Sequence, residues 1–268
     1  MKRYTYRMQW WMFIPLSFLA GSVPFGYLIG RINGLDIRTV GSGNIGATNL
    51  GRALGKRFFY ACFFLDMTKG MMPTLIAGNL MGTLGTLRVN PQDAYWWLAV
   101  MLAAVLGHMF TPWLGFKGGK GVATGMGAMI GILPAMTLPA AGGLMVFLIV
   151  LTLWRYVSLA SSMAAASLPL WTWIVFAQYH TLMVRQSSQR TDWETLPAEE
   201  IEMIKNGIPN YGTPFFIVAL VLAILVIYKH KGNLSRIMQG VEPQIGSKPD
   251  AQTPSAPPAE SAGADSKD

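Results

Sequence analysis

Four polar clusters lie between the long apolar runs of the chain, and each carries groups suited to an anion. The first is GSGNIGATNLGRALGK, residues 41–56. Gly41, Gly43 and Gly46 spell G-x-G-x-x-G, and Asp66 lies 20 residues past Gly46. That spacing marks a dinucleotide site only between a strand and a helix of a βαβ unit. Here an apolar run precedes the glycines and Asp66 falls inside another, which removes the dinucleotide reading. What survives is a glycine backbone that can approach an anion and offer successive N–H groups to it. Ser42, Asn44, Thr48 and Asn49 add neutral hydrogen-bonding groups, and Arg52 adds a planar fork that fits phosphate. Gly, Ser and Asn also make ordinary turns. Chemistry alone leaves both readings open.

The second cluster is GHMFTPWLGFKGGKGVAT, residues 107–124. A Walker A loop needs Ser or Thr after its lysine; Gly121 follows Lys120, so the Mg²⁺-binding hydroxyl is missing. His108 would suit a histidine acyltransferase of the H-x-x-x-x-D kind, but Trp113 stands where the Asp belongs. A lone histidine at a span end also serves as a plain interfacial residue. Lys117 and Lys120, three apart among glycines, can face one anion or simply lipid headgroups. The third cluster, RYVSLASS at 155–162, brings Ser158, while Ala160, Ser161 and Ser162 suit close helix packing. The fourth, HKGNLSRIMQGVE at 230–242, sets His230, Asn233 and Arg236 along one helical face. An isolated basic helix there would by default bind a membrane surface.

The elements that position these groups follow from composition. Of 268 residues, 52% are hydrophobic and 13% charged, and mean hydropathy is +0.37. A soluble domain carries about a quarter charged residues. Apolar runs near the ~20 residues that cross a bilayer recur along the chain. This excludes a water-soluble globular protein. A single cysteine, Cys62, excludes a disulfide framework and a Cys-based zinc site. The fold class expected is all-α and polytopic.

Spans are expected at 9–30, 58–82, 95–111, 122–134, 138–154, 157–177 and 212–228, with the fourth and fifth short and separated by Pro134 and Pro139. Pro15 and Pro24 interrupt the first, which reads as a retained helix and not a signal peptide. About seven crossings put the segments 31–57, 112–121, 155–156 and 229–268 on one face. That face holds Arg31, Arg38, Arg52, Lys56, Arg57, Lys117, Lys120, Arg155, Lys229, Lys231 and Arg236. By the positive-inside rule it is cytoplasmic, leaving the N-terminus outside and the C-terminus inside, against the local pull of Lys2, Arg3 and Arg7. Residues 1–246 read as one membrane domain, 178–211 as a polar periplasmic insertion with a short interfacial helix, and 247–268 as a disordered tail. Asp66 and Lys69, three apart within a span, are expected to pair, because unpaired intramembrane charge is costly. Their pair would support the floor of the site.

In their order, these motifs resemble the bacterial acyl-phosphate:glycerol-3-phosphate acyltransferases of the PlsY type, over residues 11 to 245. The matching residues are SGN-x-GATN at Ser42–Asn49 with Arg52, then Leu65, Asp66, Lys69 and Gly70. Gly107–Phe110 and Phe116–Thr124 follow, then Tyr156–Ser161, and last His230, Asn233, Arg236, Gly240 and Glu242. Ile45 stands where that family usually has Pro, and the 178–211 connection and the tail are longer than usual.

The resemblance implies a seven-helix membrane enzyme of the bacterial inner membrane that draws on cytosol and lipid. It would move a fatty acyl group from acyl phosphate to the sn-1 hydroxyl of glycerol 3-phosphate, giving lysophosphatidic acid and phosphate. It implies no cofactor, no metal and no nucleic-acid partner, and leaves room for contact with the enzyme that makes the acyl phosphate. Ser42, Arg52, Asn233, His230 and either Lys117 or Lys120 would hold glycerol 3-phosphate, with Ser42, Arg52, Lys120 and His230 the most intimate with the chemistry. The N–H groups of Gly118, Gly119 and Gly121, with Thr48 and Asn49, would cradle the acyl phosphate. Gly43, Asn44, His108 and Ser158 complete the expected lining. Asp66 is paired and Glu242 is read as distal, so the hydroxyl proton is expected to go to the donor's phosphate; His108 or His230 as base is the rival. A transporter for an organic phosphate is the alternative from another class, disfavoured because the motifs cluster at one face and no related halves are visible. A non-catalytic partner of a lipid enzyme would not need so many placed polar groups.

Overall fold

Every regular element among the described residues is helical. The computed structural model describes residues 10–189, 201–202, 207 and 210–246. Lys2, Arg3 and Arg7, most of the stretch expected as an interfacial helix, and the tail at 247–268 lie outside them.

The first apolar run is two helices, α1 (Phe13–Ser22) and α2 (Phe25–Ile32), broken at Val23–Pro24. Pro24 lacks an N–H and holds the residue before it away from helical backbone. Lys69 Nζ donates to the Val23 carbonyl at this break, 2.6 Å away. The glycine-rich stretch that follows contains α3 (Ala47–Leu54), closed by Gly55 at φ +102°. Next come α4 (Lys56–Met81) and α5 (Pro91–Met109). The second starts with Pro at its first position and Asn90 Oδ1 capping Gln92 N at 2.9 Å. Then come α6 (Val122–Ile130), α7 (Thr137–Trp154), α8 (Val157–Ser188) and α9 (Thr213–Met238).

Among the described residues, five stretches are long and apolar enough to cross a bilayer: Trp10–Ile32, Pro91–Leu114, Thr137–Trp154, Val157–Ser188 and Thr213–Met238. The 26 residues of α4 reach about 39 Å but carry Lys56, Arg57, Asp66 and Lys69. The nine of α6 span only about 14 Å, under half the ~30 Å hydrocarbon layer. Two helices run at least ten residues past their expected ends. α8 continues to Ser188 instead of stopping at 177, and α9 to Met238 instead of 228. In both places polarity ends the apolar stretch, but no proline ends the helix.

Close packing rests on glycine. A side chain at Gly107 would strike the backbone of Phe18 and Ser22, and one at Gly127 the backbone of Met67. These contacts set α1 on α5 and α4 on α6, as small residues do between membrane helices. Trp97, Met101, Val105, Ala128, Ile132 and Leu222 fill the main core. Gly85 N donates to Leu133 O at 2.9 Å. The α6–α7 turn therefore lies beside the α4–α5 turn, at the opposite end of α5 from residues 110–121.

Candidate active site

Asn49 organises the first cluster from within. Its amide nitrogen donates to the carbonyls of Ile37, Val40 and Asn44 at 3.0–3.1 Å, and its oxygen accepts from Ser42 N at 3.1 Å. Gly41, at φ +56°, has no room for a side chain beside Asn49 Oδ1. Asn49 is thus buried and spent on the loop, while Ser42, Gly43 and Arg52 stay exposed. Upstream, Asp36 accepts two bonds from the Arg38 guanidinium at 2.9 and 2.6 Å and caps the turn Ile37–Thr39. Those bonds lower its carboxyl to about 2.

The second cluster is pinned to the end of α5. Thr111 Oγ1 donates to Ser22 O at 2.7 Å, and Trp113 Nε1 to Ser22 Oγ at 2.8 Å. Gly118 N donates to Met109 O at 3.2 Å and Gly119 N to His108 O at 3.1 Å. Two of the three glycine N–H groups expected for phosphate are therefore taken. The donors that remain by position are those of Gly121, at φ +80°, and of the first turn of α6. His108 is enclosed, with Gly119 against its ring. Lys117 is exposed.

The third and fourth clusters meet the second around Glu242. Lys120 Nζ lies 2.5 Å from Asn233 Oδ1, and Asn233 Nδ2 donates to Glu242 Oε1 at 2.6 Å. Ser158 Oγ donates to the same oxygen at 2.8 Å, and Arg236 Nε to Oε2 at 2.8 Å. Arg52 Nη2 reaches Pro243 O at 3.2 Å, bringing in the first cluster. Ile245 N donates to Arg155 O at 2.9 Å, and Arg155 Nη2 returns a 2.8 Å bond to Ile245 O. His230, one turn before Asn233 on α9, is buried with Nδ1 2.7 Å from Val226 O. A carbonyl only accepts, so Nδ1 carries the proton and Nε2 is the basic nitrogen.

Burial pushes the Lys120 ammonium down to about 8; Glu242 opposes this, while Arg236, Arg52 and Lys229 add to it. Burial also lowers Arg52 against the pull of Glu242. Burial works the other way on Glu242, but bonds from Asn233, Ser158 and Arg236 outweigh it and hold the carboxyl below its usual value. The centre is a cationic end of the bundle with one buried, saturated carboxylate.

Glu242 was expected to be distal, and here it is the hub. The G-x-E ending of the fourth cluster was the available signal, but nothing in sequence spacing says that the chain folds back after Met238. Gly240 at φ +72° makes that reversal. The Asp66–Lys69 pair is present at 2.7 Å. Gly121 and Val122, the two residues after Lys120, help to line an apolar groove of about 140 Å³ walled mainly by α6, α7 and α8. Met126, Leu144, Phe147 and Leu168 line it.

Comparison with known proteins gives one family. Residues 11–240 match the model described as glycerol-3-phosphate acyltransferase. A glycerol-3-phosphate acyltransferase of Prochlorococcus marinus (strain NATL2A) is 38% identical over 86% of this chain and 95% of its own length. One from Aquifex aeolicus (strain VF5) is 34% identical over 85% and 95%. Two crystal structures of PlsY (YgiH), an integral membrane glycerol 3-phosphate acyltransferase, share the fold. Its glycerol 3-phosphate form has a TM-score of 0.65 at 33% identity, covering 88% of this chain and 96% of that one. Its lysophosphatidic acid form has a TM-score of 0.63 at 32% identity, over 88% and 95%. The all-helical fold is that of an integral membrane protein, and the chain belongs to the glycerol-3-phosphate acyltransferase family.

Proposed function

We propose that this chain transfers a fatty acyl group from an acyl phosphate to the sn-1 hydroxyl of glycerol 3-phosphate. The observation that carries the reading is the meeting of Arg52, Lys120, Asn233 and Ser158 around Glu242, beside an apolar groove whose lining includes Gly121, the residue after Lys120. Two phosphates need a cationic polar end, and a fatty chain needs an apolar channel continuous with it.

In this reading Ser42, Arg52, Lys120, Asn233 and His230 hold glycerol 3-phosphate, with Lys117 at hand from the same loop. Gly121, the first turn of α6 and Thr48 face the acyl phosphate, and Asn49 shapes the loop that carries Ser42, Gly43 and Asn44. The hydroxyl oxygen bonds to the acyl carbon, the bond from that carbon to the bridging oxygen breaks, and phosphate departs with that oxygen. The hydroxyl proton passes to the departing phosphate. An acyl phosphate is already activated, so positioning and charge stabilisation supply the rest.

The topology proposed is seven crossings, with α6 and its following turn as the shortest. The N-terminus is outside, and the site, its basic loops and the C-terminus are on the cytoplasmic face of the bacterial inner membrane. Residues 1–246 form one domain; its periplasmic insertion begins after α8. The acyl-phosphate-producing enzyme would meet it at the cytoplasmic face.

Purified protein in detergent, given palmitoyl phosphate and glycerol 3-phosphate, should release phosphate only with both present and form lysophosphatidate. Palmitoyl-CoA should give little. Equal turnover with the thioester would overturn the donor assignment.

A further inference from the structure

We infer that His108 is a positioning residue, which seats the Lys120-bearing glycine loop and does not itself touch substrate. The inference deepens the reading above and rests on it. His108 is 5% exposed, next to last in α5. Both its main chain and its ring define where Gly119 sits. Its carbonyl takes the Gly119 N–H at 3.1 Å. Its ring leaves Gly119 no space for a side chain, because a Cβ there would fall on Nε2 and Cε1. The adjoining Met109 carbonyl holds Gly118 N at 3.2 Å and Lys229 Nζ at 2.9 Å. The loop therefore rests on α5 at two consecutive residues before it presents Lys120 to Asn233.

On its far side the ring faces a buried carboxylate. His108 Nδ1 lies 3.7 Å from Asp66 Oδ1 and has no hydrogen-bond partner among the described residues. At that distance the contact is electrostatic: the negative carboxylate favours the proton on the nitrogen that faces it, Nδ1, and leaves Nε2 bare toward Gly119. Asp66 Oδ1 is held by Lys69 Nζ at 2.7 Å, which also caps the broken first span at Val23 O, 2.6 Å away. Asp66 Oδ2 takes the Cys62 thiol at 3.5 Å. A continuous line of contact thus runs from the α1–α2 break through Lys69, Asp66, His108 and Gly119 to Lys120. Charges this deep persist where they have work or a partner. Here they brace the support of a loop whose misplacement by an ångström can cost a hundredfold in rate.

The test compares full-length His108→Asn, His108→Ala and Asp66→Asn with wild type. Phosphate release from palmitoyl phosphate is followed as glycerol 3-phosphate is varied, and each variant's melting temperature is measured. Asn can place an N–H near the Nδ1 position, so His108→Asn should keep kcat/KM within about threefold. His108→Ala should lose about 30-fold or more when assayed below its own melting temperature, where it is folded. Adding Asp66→Asn to His108→Ala should cost little more than either alone. ¹⁵N-histidine spectra of the wild type should show one ring in the Nδ1–H form that glycerol 3-phosphate does not shift, assigned as the signal missing in His108→Asn. Folded His108→Asn as impaired as His108→Ala, or a large shift of that ring on adding glycerol 3-phosphate, would overturn the inference. If His108→Ala does not fold, His108→Asn and the spectra decide. Wild type that turns over neither donor would instead defeat the functional reading, and the spectra would still judge the tautomer and the lack of substrate contact.

Discussion

Ser158 and Glu242, 84 residues apart, share a 2.8 Å hydrogen bond in the buried centre of the polar end. That bond fastens the start of α8 to the segment after α9, and the same oxygen takes Asn233 from α9 itself. Removing the carboxylate leaves three donors without their acceptor. Glu242→Ala should therefore lower stability by about 2 kcal/mol or more and abolish turnover, because Asn233 is released from its place beside Lys120. Glu242→Gln keeps one acceptor oxygen and should fall between the two. Thermal unfolding in detergent, run alongside the activity assay, checks the order.

Arg52, an exposed residue, reaches across the site to Pro243 O through Nη2. As a phosphate fork it should be irreplaceable by a point charge. Arg52→Ala should reduce kcat/KM for glycerol 3-phosphate by about 100-fold, and Arg52→Lys should recover little of it. Steady-state kinetics over a wide range of glycerol 3-phosphate would settle the matter. Arg52→Ala with wild-type affinity would remove Arg52 from the acceptor site.

Lys120 supplies a pH signature. Its ammonium is lowered to about 8, mainly by burial, so free enzyme loses that positive charge as pH rises through 8. An anionic substrate binds the charged form. kcat/KM for glycerol 3-phosphate should thus be level from about pH 7 to 7.5 and decline above 8, approaching tenfold per unit. Lys120→Arg keeps its charge throughout and should flatten the limb, whatever its absolute rate. A falling limb unchanged in that variant would assign it to another group.

The groove makes a prediction independent of the charges. Gly125 lines it, and a side chain added there meets only Val105 Cγ2 at 4.0 Å, so there is room for a larger residue. Gly125→Leu should fill the channel. Turnover with palmitoyl phosphate should drop about tenfold, while KM for glycerol 3-phosphate stays within about twofold. A short-chain acyl phosphate assayed in parallel should be less affected.

Much of this arrangement was legible in the residues. Apolar run lengths gave the helical membrane class, and the spacing of Asp66 and Lys69 gave their pair. The separation of His230, Asn233 and Arg236 gave one helical face, now part of α9. What spacing could not give is where backbone donors point. Gly118 and Gly119 look like a phosphate nest in sequence, yet their N–H groups close onto α5 because its last carbonyls need partners. Asn49 looks like a ligand, but a buried loop crossing needs an internal cross-link and Asn49 is it. Glu242 is the opposite case. A carboxylate on a chain reversal carries no periodic signal, and only the fold brings Ser158 and Asn233 to it.

The most direct test of the central claim labels the bridging oxygen of palmitoyl phosphate with ¹⁸O and follows that atom into the products of reaction with glycerol 3-phosphate. Attack at the acyl carbon predicts that the label leaves entirely in inorganic phosphate and that the lysophosphatidate carries none. Label recovered in free palmitate, with no lysophosphatidate formed, would mean attack at phosphorus and would contradict acyl transfer as the reaction of this site.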